Sequence, residues 1–188
     1  MKAGILILIV VVLGVLILGG MAVSARNTLV TEKESVDAEW SQVDVVLQRR
    51  ADLIPNLVET VKGYAKQEQT VIKEVTDARA ALGGARSPQD KIQANSQLDG
   101  ALGRLLVVVE NYPDLKSNQT FKDLMVELEG AENRVAVERH KYNEVVQKYN
   151  TDIQLFPNNI AAGIFGFQRN DAYFKTTPEA RTAPKVTF

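Results

Sequence analysis

His140 is the single histidine of this 188-residue chain, and the chain has no cysteine. Those two counts bound the chemistry its side chains can do. Thiolate nucleophiles, disulfides and cysteine-ligated zinc are excluded outright. A di-iron site in a helical bundle needs Glu-x-x-His on two helices and two further glutamates. Val137 stands three residues before His140, so the motif is absent, and one imidazole cannot serve two of them. His140 lies in the charged run Glu138-Arg139-His140-Lys141 and reads as a solvated or helix-packing residue. No Gly-x-Ser-x-Gly elbow supplies a serine nucleophile. Gly83-Gly84 and Gly100/Gly103 are not followed by the Lys-Ser/Thr of a phosphate loop. Glu127, Glu129 and Glu132 are spaced like acids on a wetted helix face, whereas acid–base catalysis needs two acids in separated environments. The residues point to a protein that is not an enzyme, with no metal and no cofactor.

Three other groups of side chains suit recognition or architecture. The first is Arg49-Arg50-Ala51-Asp52, just before Pro55-Asn56. Proline removes a backbone donor and frees a carbonyl one turn earlier. Arg50 or Asn56 is a candidate donor to such an orphan; the plainer account of the charges is ion pairing on a helix surface. The second is Lys141-Tyr142-Asn143, which recurs as Lys148-Tyr149-Asn150 one heptad later. That interval puts both tyrosines and both asparagines on one helix face. Asparagine in a core fixes register and partner choice, and tyrosine buries a ring while its hydroxyl seeks a partner. Glu110, Asn111, Glu132, Asn133 and Arg139 are candidates to join this polar layer. It reads as bundle specificity or as a surface for another subunit. The third is the Phe-rich stretch from Phe156 to Phe174, with Ile160, Ile164, Phe165, Phe167 and Tyr173. It either folds back over the bundle end or forms an apolar patch for self-assembly or membrane contact.

The elements that position these groups are helical. Between Lys2 and Arg26 lie 23 residues without a charge. A helix over residues 3–23 is about 31 Å long, which matches a hydrocarbon core of about 30 Å. Val23-Ser24-Ala25 offers a signal-peptide cleavage site, but the apolar run is longer than the usual signal core. The segment reads as a retained anchor that contacts membrane lipid. Beyond it, Leu29, Val36, Trp40, Val43, Leu47, Ile54, Val58, Val61, Tyr64, Val71, Val75, Ala78 and Leu82 step by threes and fours. The pattern predicts one long amphipathic helix from about 26 to 82, kinked or briefly broken at Pro55. Gly83-Gly84 ends it, and Ser87-Pro88 with Asp90 starts the next helix. Asn111-Tyr112-Pro113-Asp114 stops that second helix. Asn118 caps a third, which runs to about Leu155. A short helix follows near residues 159–164, then an irregular end. The fold class is all-α: an N-terminal transmembrane helix followed by an antiparallel bundle of three to four long helices. The divisions expected are an anchor over 1–25, a bundle over 26–155 and a tail over 156–188.

The stretch from Trp40 to Ala65 resembles the central block of the LemA family of bacterial membrane-associated helical proteins. Glu110-Asn111-Tyr112-Pro113-Asp114-Leu115, the two Tyr-Asn pairs and Phe156-Pro157 are similar to that family as well. Arg49, Arg50, Asp52, Pro55 and Asn56 match the family pattern residue by residue. Two departures stand out. Arg26 occupies the place before Asn27 where the family usually has Tyr. Gln67-Glu68 follows Gly63-Tyr64-Ala65 where His-Glu is common, which argues further against metal chemistry. The resemblance implies architecture and location, since the family has no established chemistry.

Charge agrees with a protein-facing surface. There are 22 basic and 23 acidic residues, for a net charge of −1. A phosphate-backbone binder needs a surplus of Lys and Arg, so no nucleic acid partner is expected. The function expected is a single-pass scaffold or interaction module at the bacterial inner membrane, assembling as a homo-oligomer. An adaptor or sensor for a membrane protease or signalling protein is the alternative. An enzyme with a site in the polar layer around Asn133, Tyr142 and Asn143 is a third. Lys and Arg counts beside the anchor are nearly level, with a slight lean to an extracytoplasmic bundle.

Overall fold

The computed structural model describes residues 2–175. Every regular element among them is helical: α1 (Lys2–Tyr64), α2 (Gln69–Gly84), α3 (Pro88–Val109), α4 (Pro113–Ser117), α5 (Gln119–Asp152) and α6 (Asn158–Phe165). Two compact units result. One comprises residues 1–41 with 141–171, and the other residues 42–140 with the segment from Ala172. Both α1 and α5 contribute residues to each unit. The end of the chain from Thr176, part of the expected tail, lies outside the described residues.

Local chemistry sets most element ends. Ser87 caps α3, accepting from the Asp90 amide at 3.1 Å, with Pro88 at the first helical position. The Asn118 side chain accepts from the Phe121 amide at 3.0 Å and so opens α5. Its own backbone N–H closes the short α4 on Leu115. That five-residue helix occupies the place where only a stop was expected.

The apolar stripe from 26 to 82 does not form a single helix. α1 crosses Pro55 without ending and stops at Tyr64. The chain turns through Ala65–Glu68, with the Glu68 amide bonded to the Ala65 carbonyl at 3.1 Å. Two distant side chains support this turn. Tyr112 donates its hydroxyl to Glu68 at 2.8 Å, and Asn118 donates to the Tyr64 hydroxyl at 2.9 Å. The stripe continues in phase because α2 packs its own apolar face, Ile72, Val75, Ala78 and Leu82, into the same core.

In the 42–140 unit, α2 and α3 are joined by three residues, so they run antiparallel. Arg104 of α3 pairs with Glu74 of α2 at 2.7 Å. α1 runs parallel to α3, as the ascending pairs Asp44–Lys91 and Arg50–Asp99 record. Ile54, Leu57, Val61, Val75, Leu98, Leu105 and Leu115 are fully buried at the centre. Each such side chain contributes about 1.5–3 kcal/mol by leaving water.

In the other unit, Leu29, Val36, Tyr142 and Val146 are buried. Ala161 and Ala162 of α6 pack on Ala25 and Leu29 of α1. The side chains from Ile5 to Leu18 of α1 are largely exposed. With its apolar start, α1 is long and apolar enough to cross a membrane.

Candidate functional site: a buried arginine, an acid-rimmed groove and a tail clamp

In the 42–140 unit, the proline and the arginines act separately. Pro55 lacks the N–H that would bond the Ala51 carbonyl. Arg79 of α2 donates to that carbonyl from Nε at 3.3 Å. The orphan is thus met by Arg79, and not by Arg50 or Asn56. Pro55, Asn56, Arg49 and Asp52 are all exposed, and Asp52 accepts from Gln48 at 2.8 Å.

Arg50 is only 5 % exposed. One of its terminal nitrogens donates to Asn95 Oδ1 at 3.0 Å and to Asp99 Oδ1 at 2.5 Å, and lies 2.9 Å from Glu132 Oε2. Asn95 is itself fully buried and donates to Asp99 Oδ2 at 3.2 Å. One guanidinium therefore ties α1 to α3 and α5, and its Nε has no hydrogen-bond partner. A buried ion cluster of this kind specifies register more than it adds stability.

Above Arg50 lies a groove of about 620 Å³ between α3 and α5. Leu57, Leu102, Leu106, Met125 and Val126 form its apolar lining, and Asp99, Glu129, Glu132 and Asn133 its polar rim. Leu106 and Val126 are exposed. Asn133 thus belongs to the groove that Arg50 underlies. In the same unit Arg139 stacks over the buried Phe174 ring at 4.7 Å.

In the other unit, the Tyr-Asn repeat grips the chain's own C-terminal segment. Tyr142 is fully buried and meets Trp40 edge-to-face, with centroids 5.2 Å apart. Tyr149 donates its hydroxyl to the Gln168 carbonyl at 2.8 Å. Asn150 donates to the Asn170 carbonyl at 2.7 Å and accepts from the Asn170 amide at 2.8 Å. The amide side chain therefore pairs with backbone as a neighbouring strand would. Asn143 is half-buried one heptad earlier. The aromatic tail divides. Phe167 is half-buried against the Ala25–Leu29 cluster, whereas Phe156 and Phe165 are exposed.

Residues 39–188 match the LemA family. The chain belongs to the LemA family. It is 32 % identical to magnetosome protein MamQ 2 of Paramagnetospirillum magneticum, over 86 % of this chain and 68 % of that protein. It is 29 % identical to MamQ of Magnetospirillum gryphiswaldense over the same shares. Identity to the LemA protein of Metamycoplasma hominis is 23 %, over 74 % of this chain and 64 % of that one. With the apolar helix at its start, this LemA-family chain is a membrane-anchored helical protein.

A charge cluster that the motifs did not signal lies in the anchor-bearing unit of this LemA-family chain. Lys148 of α5 pairs with Glu32 of α1 and with Asp152 at 2.8 Å. Glu32 is buried. Burial, together with a hydrogen bond to the Asp152 carboxyl, raises the Glu32 pKa above the usual carboxylate range. The same hydrogen bond, then Lys148, holds Asp152 below it. Asp152 and then Glu32 raise Lys148. Burial also raises Tyr149, with Asp37 and Glu32 adding to the effect.

The signs separate on the pH axis. The raised Glu32 contributes most below its unfolded value of 4.5 and loses that contribution as pH rises through its folded value. The lowered Asp152 contributes above 3.8 and loses that contribution as pH falls through its depressed value. Lys148 contributes below 10.5 and loses it above. Glu32→Gln retains a donor toward Asp152 and removes the titration. The variant's thermal midpoint, followed by circular dichroism between pH 4.5 and 7, is expected to decline less with rising pH than that of the parent. Parallel curves would contradict this account.

Proposed function

We propose that this LemA-family protein is a single-pass scaffold of the bacterial inner membrane that assembles through contacts between copies of its own chain. The observation that carries the reading is a pair of oppositely charged grooves on the 42–140 unit. One is the acid-rimmed groove above Arg50. The other, of about 590 Å³, is lined by Lys62, Lys66 and Lys73 around Ile72. Lys62 and Lys73 already pair with the exposed Glu59 and Asp77 on their own helices. Such pairs are worth well under about 1 kcal/mol each, so the lysines are free to change partner. Contact between unlike surfaces is heterologous and closes into rings or extends into filaments. The apolar helix concentrates the copies in one plane, with the bundle placed outside the cytoplasm. The MamQ relatives are named for a magnetosome and not for a reaction, which favours an assembly role.

Light scattering of the full chain in mild detergent tests the reading. Glu129→Lys should raise the concentration for half-assembly about tenfold, by placing like charges together. Lys66→Glu should do the same, and the two changes in one chain should restore assembly. A monodisperse monomer at all concentrations would overturn it. The adaptor reading would then hold the ground, since an acid-rimmed apolar groove also suits a cationic amphipathic helix of another protein.

A further inference from the structure

The outer face of α6 is apolar and uncovered. Phe156 is 75 % exposed, Ile160 54 % and Ile164 68 %, with the exposed Leu155 and Phe165 at either end. The step from 160 to 164 puts these two isoleucines on one stripe of α6, and Phe156 is exposed in the turn just before the helix. The opposite face is small. Ala161 and Ala162 are buried against Ala25 and Leu29 of α1. Alanines let the two helix backbones approach, so α6 packs closely on α1 at Ala25 and Leu29. Gly166, in the left-handed region at φ 73°, ends α6. The chain then turns back, with the Phe167 amide bonded to the Ala162 carbonyl at 3.0 Å. Only glycine reaches that conformation without strain.

The position along α1 decides what covers this face. Ala25 is the last residue of the uncharged span, about 3 Å along the helix from Val23. The Arg26 guanidinium, the first charge beyond the span, sits 5.5 Å over the Phe165 ring. From this placement we infer that α6 is a second membrane-contacting element, its Ile160–Ile164 stripe, with Phe156 just before the helix, inserted into the lipid that surrounds the anchor. An interfacial helix of this kind buries its apolar face about 5–10 Å into the headgroup–acyl boundary. The first residues of α6 beside the stripe are Asn158 and Asn159, which carry no charge. Insertion therefore rests on apolar burial and not on attraction to anionic headgroups. The α6 contact with lipid rests on the reading of residues 3–23 as a membrane anchor.

The absence of cysteine makes the test direct. Full-length chains carrying Leu18→Cys, Lys33→Cys or Ile164→Cys are spin-labelled and reconstituted in phosphatidylcholine vesicles, with and without phosphatidylglycerol. Collision rates with oxygen and with a water-soluble nickel chelate report depth. The Ile164 label should exclude the chelate and meet oxygen as the Leu18 label does, at shallower depth, and equally in both lipid mixtures. The Lys33 label should meet the chelate freely. An Ile164 label that tracks Lys33 overturns the inference while Leu18 still reports an anchored span. A Leu18 label open to the chelate overturns the anchor reading itself. Spin–spin broadening at Ile164 that dilution with unlabelled chain removes, with neither probe admitted, gives the face to a second copy and overturns lipid contact.

Discussion

Arg50→Ala should lower the unfolding free energy of the 42–140 unit by about 2–4 kcal/mol. The largest contribution comes from Asn95. Its side-chain oxygen accepts from Arg50 at 3.0 Å in a fully buried position. A buried acceptor left alone costs about 1–3 kcal/mol. The carboxylates contribute less than a sealed ion pair would. Asp99 and Glu132 side chains are 37 % and 43 % exposed, so water screens them once the guanidinium is gone. The lost packing of the arginine stem adds the remainder. Arg50→Lys should fall between, because an ammonium reaches fewer of the acceptors on α3 and α5 at once. Arg49→Ala, at the exposed neighbouring position, should change stability by less than about 0.5 kcal/mol. Urea unfolding followed by circular dichroism measures all three. Equal effects at 49 and 50 would remove Arg50 from its place as the tie among α1, α3 and α5.

Tyr142→Ala should cost about 3–5 kcal/mol, the range for deleting a large buried aromatic ring. Tyr142 is fully buried, and its edge-to-face contact with Trp40 adds to the burial. Trp40 is the single tryptophan of the chain. Its fluorescence therefore reports this packing without added probes. The emission should move to longer wavelength in the variant before any denaturant is added, as water enters the space left by the ring. An unchanged spectrum would mean that another side chain closes the gap, and the stability cost should then shrink accordingly.

The parts of the fold that were legible in the residues are the local ones. Ser87, Pro88 and Asp90 announce the start of α3, and Asn118 that of α5, because a cap is satisfied within one turn. The uncharged run from Ala3 to Ala25 announces an anchor by length and composition alone. The end of α1 at Tyr64 was not legible. Nothing in the stripe changes phase there, and the turn rests on Tyr112 and Asn118, which lie 44 and 54 residues from their partners. The same limit applies to the proline. That an orphan carbonyl exists near Pro55 follows from its missing N–H, but Arg79 reaches it from 28 residues away. The Tyr-Asn heptad announced an inward face. The identity of its partners, Gln168 and Asn170, was hidden because their backbone groups carry no sequence signature. Glu32, Lys148 and Asp152 sit in ordinary-looking charged stretches, so only their meeting distinguishes them.

By itself the sequence determined an all-α chain with an apolar start, no thiol chemistry, one imidazole, and the caps that open its later helices. Each of these is a property of composition or of a few neighbouring residues. Tertiary structure alone decided that Arg50 gathers Asn95, Asp99 and Glu132, that Asn150 clamps the returning chain, and that α6 turns alanines to α1 and leaves isoleucines outside. These depend on which helices meet and in what register. That is set by the summed burial of many side chains, and no single motif encodes it.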